Sequence, residues 1–165
     1  MPELLILRHA KSDWGQPGLR DFDRPLNDRG RKAAVKMGRV IAGSGPIDLV
    51  LASPARRVVE TLEGVRKAFP DLPDPEFDPG LYGASVSGLL TALHAVPDNV
   101  ERALLVAHNP GLHWLAMALT EDDGSRELDI KFPTAALARI QFDGRWRRLD
   151  SGQGRLLAFV TPRSA

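Results

Sequence analysis

Four apolar residues, Leu4-Leu-Ile-Leu7, run straight into Arg8-His9. A short unbroken apolar run predicts a strand buried on both faces, as in parallel sheets. Two later stretches have the same form. Ile47 to Ala52 ends in Ser53-Pro-Ala-Arg-Arg57, and Arg102 to Ala107 ends in His108-Asn-Pro-Gly111. If the three strands are parallel, their polar ends share one edge of one sheet. Open α/β sheets bind ligands at that edge. Two His and two or three Arg would then converge on one pocket, a set suited to phosphate.

The segments between these strands fill in the rest. Ala10 to Leu26 is polar and holds Trp14, Gly15, Pro17, Gly18 and Pro25, which predicts a long loop. Loops this long in a compact domain are usually functional or mobile. Asn27 or Asp28 caps a helix through about Ile41, with Ala33, Ala34, Met37, Val40 and Ile41 as apolar positions. Ser53-Pro54 reads as N-cap plus first helical position of a helix to about Phe69. Prolines at 70, 73, 75 and 79 mark an irregular crossing with a short strand at Glu76 to Asp78. Val86 to Ala95 predicts a short helix. Asn109-Pro110 repeats the cap device before a helix through Leu119, and Thr120 to Pro133 reads as a polar loop. Ala135 to Phe142, Trp146 to Asp150 and Leu156 to Val160 read as closing strands, some antiparallel, with a turn at Asp143-Gly144. The expected fold class is α/β, a mostly parallel sheet in one domain spanning residues 1–165.

Composition narrows the function. Formal net charge is +1, from 22 basic and 21 acidic residues, so nothing global favours nucleic acid or membrane. Anion selectivity must come from local placement. The chain has no Cys, which excludes disulfides, thiolate catalysis and cysteine-held metals. No apolar run is long enough to span a membrane. No signal peptide is read at the N-terminus, and a cytoplasmic location is the default expectation. A monomer is likewise the default.

Each candidate has a plainer reading. Arg8-His9 alone would be a surface pair, but the rigid buried strand before it is what a catalytic group requires. Ser53, Arg57 and Thr61 are four apart and share one helical face. Ser53 is explained as a cap. Arg57 in the first helical turn opposes the macrodipole, which makes sense if an anion binds there too. Arg56 points elsewhere and reads as solvated surface. His108 alone could be a satisfied core histidine. His113 lies five positions on, without the spacing of a helical metal site. It reads as a packing residue, and His94 as surface. The carboxylates of Asp21-Phe-Asp23 and Glu121-Asp-Asp123 read as solvated loop residues, and Trp14 as a loop anchor.

These motifs together resemble a family. Leu-Arg-His-Ala-Lys-Ser at 7–12 resembles the Arg-His-Gly signature of the histidine phosphatase superfamily, the phosphoglycerate mutase-like fold. Ser53-Pro-Ala-Arg-Arg57 with Thr61 resembles its second arginine motif, and Val106-Ala-His108-Asn-Pro its second histidine motif. Asp23-Arg-Pro-Leu26 with Gly30 also fits. The wording Arg-His-Ala-Lys-Ser-Asp-Trp is most similar to the SixA-type phosphohistidine phosphatase branch. The resemblance implies an α/β/α sandwich, no metal and no cofactor. It makes His9 the nucleophile that is transiently phosphorylated, with Arg8, Arg57 and a protonated His108 holding the phosphoryl oxygens. Ser12 and Asn109, inside the two histidine motifs, are further expected substrate contacts.

One departure bears on the substrate. Many phosphomonoesterases of the superfamily carry a Glu before the third strong strand. Here the matching position is Gly80, with Glu76 and Asp78 as nearby alternatives. An alkoxide leaving group needs a proton donor, whereas imidazole, with an ordinary pKa of about 6.5, does not. The expected partner is therefore a phosphorylated protein carrying phosphohistidine. The alternatives are a small phosphorylated substrate hydrolysed as an ester, or a non-catalytic phosphate-binding module.

Overall fold

The computed structural model describes all residues, Met1–Ala165. Its centre is a six-stranded sheet in the order β3-β2-β4-β1-β5-β6. The strands are β1 (Glu3–Arg8), β2 (Leu49–Ala52), β3 (Glu76–Phe77), β4 (Arg102–Ala107), β5 (Leu137–Phe142) and β6 (Gly154–Val160). The first four are mutually parallel, and β5 and β6 close one edge antiparallel. This is the expected α/β architecture.

Four helices cover the sheet: α1 (Asp28–Ser44), α2 (Arg56–Ala68), α3 (Val86–His94) and α4 (Gly111–Leu119). The apolar runs explain the layering. In β1, Leu5 and Leu7 join the core under α1 and α2, while Leu4 and Ile6 join the core under α3 and α4. In β4, Leu104 and Val106 face the first layer, and Ala103, Leu105 and Ala107 the second. Each fully buried Leu or Ile contributes roughly 1.5–3 kcal/mol. Both faces must therefore be covered, which fixes a three-layer sandwich.

The far end of β1 is pinned by charge. Glu3 accepts from Arg102 Nη2 at 3.0 Å and Arg139 Nε at 2.8 Å, tying β1 to both of its neighbours. Burial alone would raise the Glu3 pKa, but the bonds from Arg139 and Arg102 outweigh it and hold it below the usual range.

Most boundaries fall where the pattern puts them. Asn27 caps α1, its side-chain oxygen accepting from Gly30 N at 2.8 Å. Three expectations fail. Ser53 is not the helix cap, because α2 begins only at Arg56 and Ala55 precedes it without a side-chain bond. Ser53 instead continues β2 by one bond, its N–H donating to Val106 O at 3.1 Å. Likewise α4 starts at Gly111 with no side-chain cap from Asn109. Trp146 to Asp150 is not a strand either but a single turn of 3-10 helix at Trp146–Arg148. The indole decides this: it is buried, packs edge-on against Phe142 at 4.9 Å, and donates to Val100 O at 2.8 Å.

Helices α1 and α2 approach closely through glycines. A Cβ on Gly38 would stand 2.6 Å from Val65 O, and one on Gly64 2.6 Å from the Ala34 Cβ. Gly43, on the same helix α1, faces open space. Two identical substitutions should therefore differ in sign. Gly38→Ala should cost about 1–3 kcal/mol through overpacking. Gly43→Ala should gain up to about 1 kcal/mol from helix propensity. Urea unfolding of both variants checks this; equal effects would contradict the close packing.

Candidate active site

Sheet register brings the candidates together. Arg8 pairs with Ala107 across β1–β4, and Ala52 with Val106 across β2–β4. The next residues, His9, His108 and Ser53, therefore emerge side by side at the carboxyl edge. His9 N donates to Ala107 O at 3.2 Å, so the backbone is held one residue past the strand. The two imidazole centroids are 5.2 Å apart. A pocket of about 330 Å³ opens there, lined by Arg8, His9, Ser12, Arg57, His108 and Asn109, with Lys11, Trp14, Arg24 and Thr134 completing the wall. All six residues expected from the sequence thus line one cavity.

The His9 hydrogen bonds define which ring nitrogen carries the lone pair. Nδ1 lies 2.8 Å from Ala10 O, a carbonyl that can only accept, so Nδ1 carries the proton. Nε2 is then the lone pair, and Arg57 Nε approaches it at 3.4 Å as donor. Thr61 supports this corner as the helical-face spacing suggests. Its hydroxyl accepts from Ala10 N at 2.9 Å and donates to Arg57 O at 2.7 Å. Burial, opposed by the Ala10 bond and reinforced by His108, Arg57 and Arg8, pushes His9 down to about 3. The ring is neutral near pH 7.

In the free protein the His108 ring is neutral near pH 7, whereas the protonated form is expected of the ring that holds a phosphoryl group. Burial, then the Arg57 cation, pushes the free ring down to about 4, despite the opposing charge of Asp21. Its Nε2 is 2.8 Å from the Ser53 hydroxyl, which explains why that hydroxyl orients an imidazole rather than caps α2. His108 Nδ1 is buried without a protein partner, as are Arg8 Nε, Arg24 Nε and Asn109 Oδ1. Arg8 Nη1 and Asn109 Nδ2 both donate to Phe132 O, at 3.1 and 2.8 Å. Burial and the neighbouring Arg57 pull the Arg8 pKa below its ordinary value.

Three site residues escaped the sequence reading. Asp21 is exposed, as expected, but it is not a free loop carboxylate. Its Oδ2 accepts from Arg57 Nη2 at 3.0 Å and from the Tyr82 hydroxyl at 2.6 Å, and its Oδ1 from Arg24 Nη2 at 2.6 Å. Its backbone oxygen takes Arg57 Nη1 at 2.8 Å. The bonds from Arg24 and Tyr82 hold the Asp21 carboxyl far below the usual range, so it is an anchor and not a proton donor. Arg24 is buried, bonds the Ser12 hydroxyl and stacks on the Trp14 ring at 3.6 Å. Tyr82 stands edge-on to His108 at 5.4 Å. Arg24 lies in the Asp23-Arg-Pro-Leu26 stretch already singled out, whereas nothing local marks Asp21 or Tyr82.

Other residues fall outside the site. Arg56 pairs with Glu60 at 2.8 Å on the surface. His113 and His94 bond backbone oxygens of Leu128 and Leu149. Glu76 and Asp78 are exposed and do not line the pocket; Asp78 accepts from Gly80 N at 2.9 Å. No group of three His, Asp or Glu side chains is clustered to hold a metal. No helix is long and apolar enough to cross a membrane.

The depressed histidines set a pH dependence. In the unfolded chain both titrate near 6.5, but in the fold near 3 and 4. Below 6.5 the unfolded state binds more protons, so stability is full above that pH and falls as pH drops toward 4. The limiting slope is about 1.4 kcal/mol per pH unit for each ring. Both imidazoles should remain neutral at pH 5.5 by two-dimensional NMR of the ring nitrogens. Titration of either near 6.5 would contradict the buried, cation-flanked geometry.

Comparison with known proteins agrees with this site. The model of the histidine phosphatase superfamily (branch 1) matches residues 4–88. An uncharacterized protein of Mycobacterium tuberculosis (strain CDC 1551 / Oshkosh) is 34% identical over 163 residues, 95% of this chain and 100% of that one. The structure of a candidate phosphohistidine phosphatase SixA from Nakamurella multipartitia is similar with TM-score 0.86 and 26% identity, over 98% of this chain and 96% of that one. The protein histidine phosphatase SixA complexed with tungstate is similar with TM-score 0.81 and 26% identity, over 98% and 97%. Motifs, fold and pocket converge with these matches: the chain belongs to the histidine phosphatase superfamily, in its SixA-type branch.

Proposed function

We propose that this phosphatase hydrolyses the P–N bond of phosphohistidine on another protein, through a covalent phosphohistidine on its own His9. One observation carries the reading. The pocket is lined by four cations, Arg8, Lys11, Arg24 and Arg57, and two histidines, but by no Asp or Glu. Asp21, the carboxylate bonded to two of these cations, is consumed in holding Arg57 and Arg24.

His9 Nε2 attacks phosphorus in line while the bond to the substrate imidazole breaks. Phosphohistidine protonated on its other ring nitrogen then leaves as neutral imidazole. The adduct on His9 has the same character, because Nδ1 keeps its proton on Ala10 O. Water attacks that adduct, P–Nε2 breaks, neutral His9 returns, and both water protons depart with dihydrogen phosphate. Neither step requires a carboxylic acid. An alkyl ester would lack the donor that such reactions gain about 10²–10⁴ from.

Arg8 and Arg57 hold the equatorial oxygens through preorganised donors. Asp21 and Tyr82 orient Arg57 without entering the chemistry. A bound phosphoryl anion opposes the cations around His108 and raises its pKa, so the ring takes up a proton and donates to phosphoryl oxygen. Ser12 and Asn109 complete the contacts.

Phosphate release tests the reading, using a phosphohistidine-bearing protein and p-nitrophenyl phosphate side by side. The P–N substrate should be preferred, and His9→Ala should lower its rate by at least about 10³. Glu76→Gln with Asp78→Asn should leave it within about twofold, since neither group is required as acid. A faster ester rate that the amide pair abolishes would instead indicate a phosphomonoesterase. Phosphate binding without turnover on either substrate, retained in His9→Ala, would indicate a binding module.

A further inference from the structure

Beside the catalytic pocket lies a second, larger cleft of about 640 Å³. Arg29, Lys32 and Lys36 from α1, with Lys131 and Arg163, line it, and no carboxylate does. Thr134 lines both cavities, so the two adjoin at that residue. Four of the five cations are exposed; Lys36 is half-buried and donates to Pro162 O at 2.7 Å. In a chain of net charge +1, this is a strong local excess.

The charge order of α1 is a second, independent observation. Arg29, Arg31 and Lys32 sit in its first turns, and its last turn has no basic residue. The macrodipole favours the reverse arrangement. Arg31 is paired with Asp28 on the flank, but Arg29 and Lys32 have no carboxylate partner. A placement that opposes helix stability and leaves cations unpaired fits an external anion.

We propose that this cleft docks an acidic segment flanking the phosphohistidine of the protein substrate. The proposal rests on the reading of the catalytic pocket given above and adds what recognises the partner. The phosphoryl-bearing imidazole enters the pocket, and carboxylates a few residues away cross Thr134 into the cleft. Specificity would then lie outside the reaction centre, in long-range charge complementarity that governs encounter and KM.

Two synthetic peptides test it: one phosphohistidine flanked by glutamates, the other by glutamines. The enzyme should favour the glutamate peptide by about tenfold in kcat/KM at low salt. That preference should vanish in Arg29→Glu/Lys32→Glu and in about 0.5 M NaCl, where screening is within a few ångströms. The rate on the glutamine peptide should not change, and the variant should unfold at the same or higher temperature, since the new charges suit the helix N-terminus. No preference in wild type, or a preference kept in the variant, would overturn the proposal. Anisotropy of the unphosphorylated glutamate peptide decides the matter independently of turnover. Weaker binding to the variant supports docking even if neither peptide is hydrolysed, an outcome that would count against the catalytic reading alone. Equal or undetectable binding overturns docking. Tighter binding of a single-stranded RNA, lost in the same variant, would reassign the cleft to nucleic acid.

Discussion

The parallel pairing of β1 with β4 and of β4 with β2 is the constraint on which everything else rests. Because Arg8 is level with Ala107, and Ala52 with Val106, the residues that follow arrive together. A slip of one residue would turn every side chain of β1 to the opposite face. Leu4 and Ile6 would exchange layers with Leu5 and Leu7. The two covered faces forbid this, so core packing holds the His9 imidazole in place. The site inherits its geometry from hydrophobic burial rather than from contacts among its own charges, which repel.

That repulsion is used chemically. Arg8, Arg24 and Arg57 gather around two histidines in a largely buried wall. The same burial and field that depress the imidazoles keep the His9 lone pair free and make the pocket an attractive place for an anion. The cost of collecting cations is offset locally, by Asp21 on Arg57 and Arg24 and by carbonyl oxygens on Arg8 and Arg57. Asp21 does this from a segment tied at its ends by the Ser12–Leu26 bridge and held by the Tyr82 hydroxyl.

What was legible in the chain follows from range. Arg8, His9, Arg57 and His108 stand next to strong strand signals, and their convergence needs only parallel order. Asn27 and Thr61 act through spacings of three and four residues, which periodicity reveals. Asp21 and Tyr82 meet across 61 positions, through a loop with no periodic pattern, so no local rule finds them. Ser53 illustrates competition: the Ser-Pro pair is a fair helix start, but a strand bond and His108 claim the residue first. Trp146 shows the same for apolar alternation, where a large ring with one donor satisfied itself in a turn.

The central claim is that His9 Nε2 carries the phosphoryl group between substrate and water. Rapid quenching of the enzyme with a phosphohistidine-bearing protein, followed by peptide mass spectrometry under alkaline conditions, tests this most directly. The account predicts one acid-labile phosphoryl group on the peptide containing His9, absent in His9→Ala and chased away by water with phosphate release. Turnover that proceeds with no phosphoenzyme, or with the phosphoryl group on His108, would contradict it.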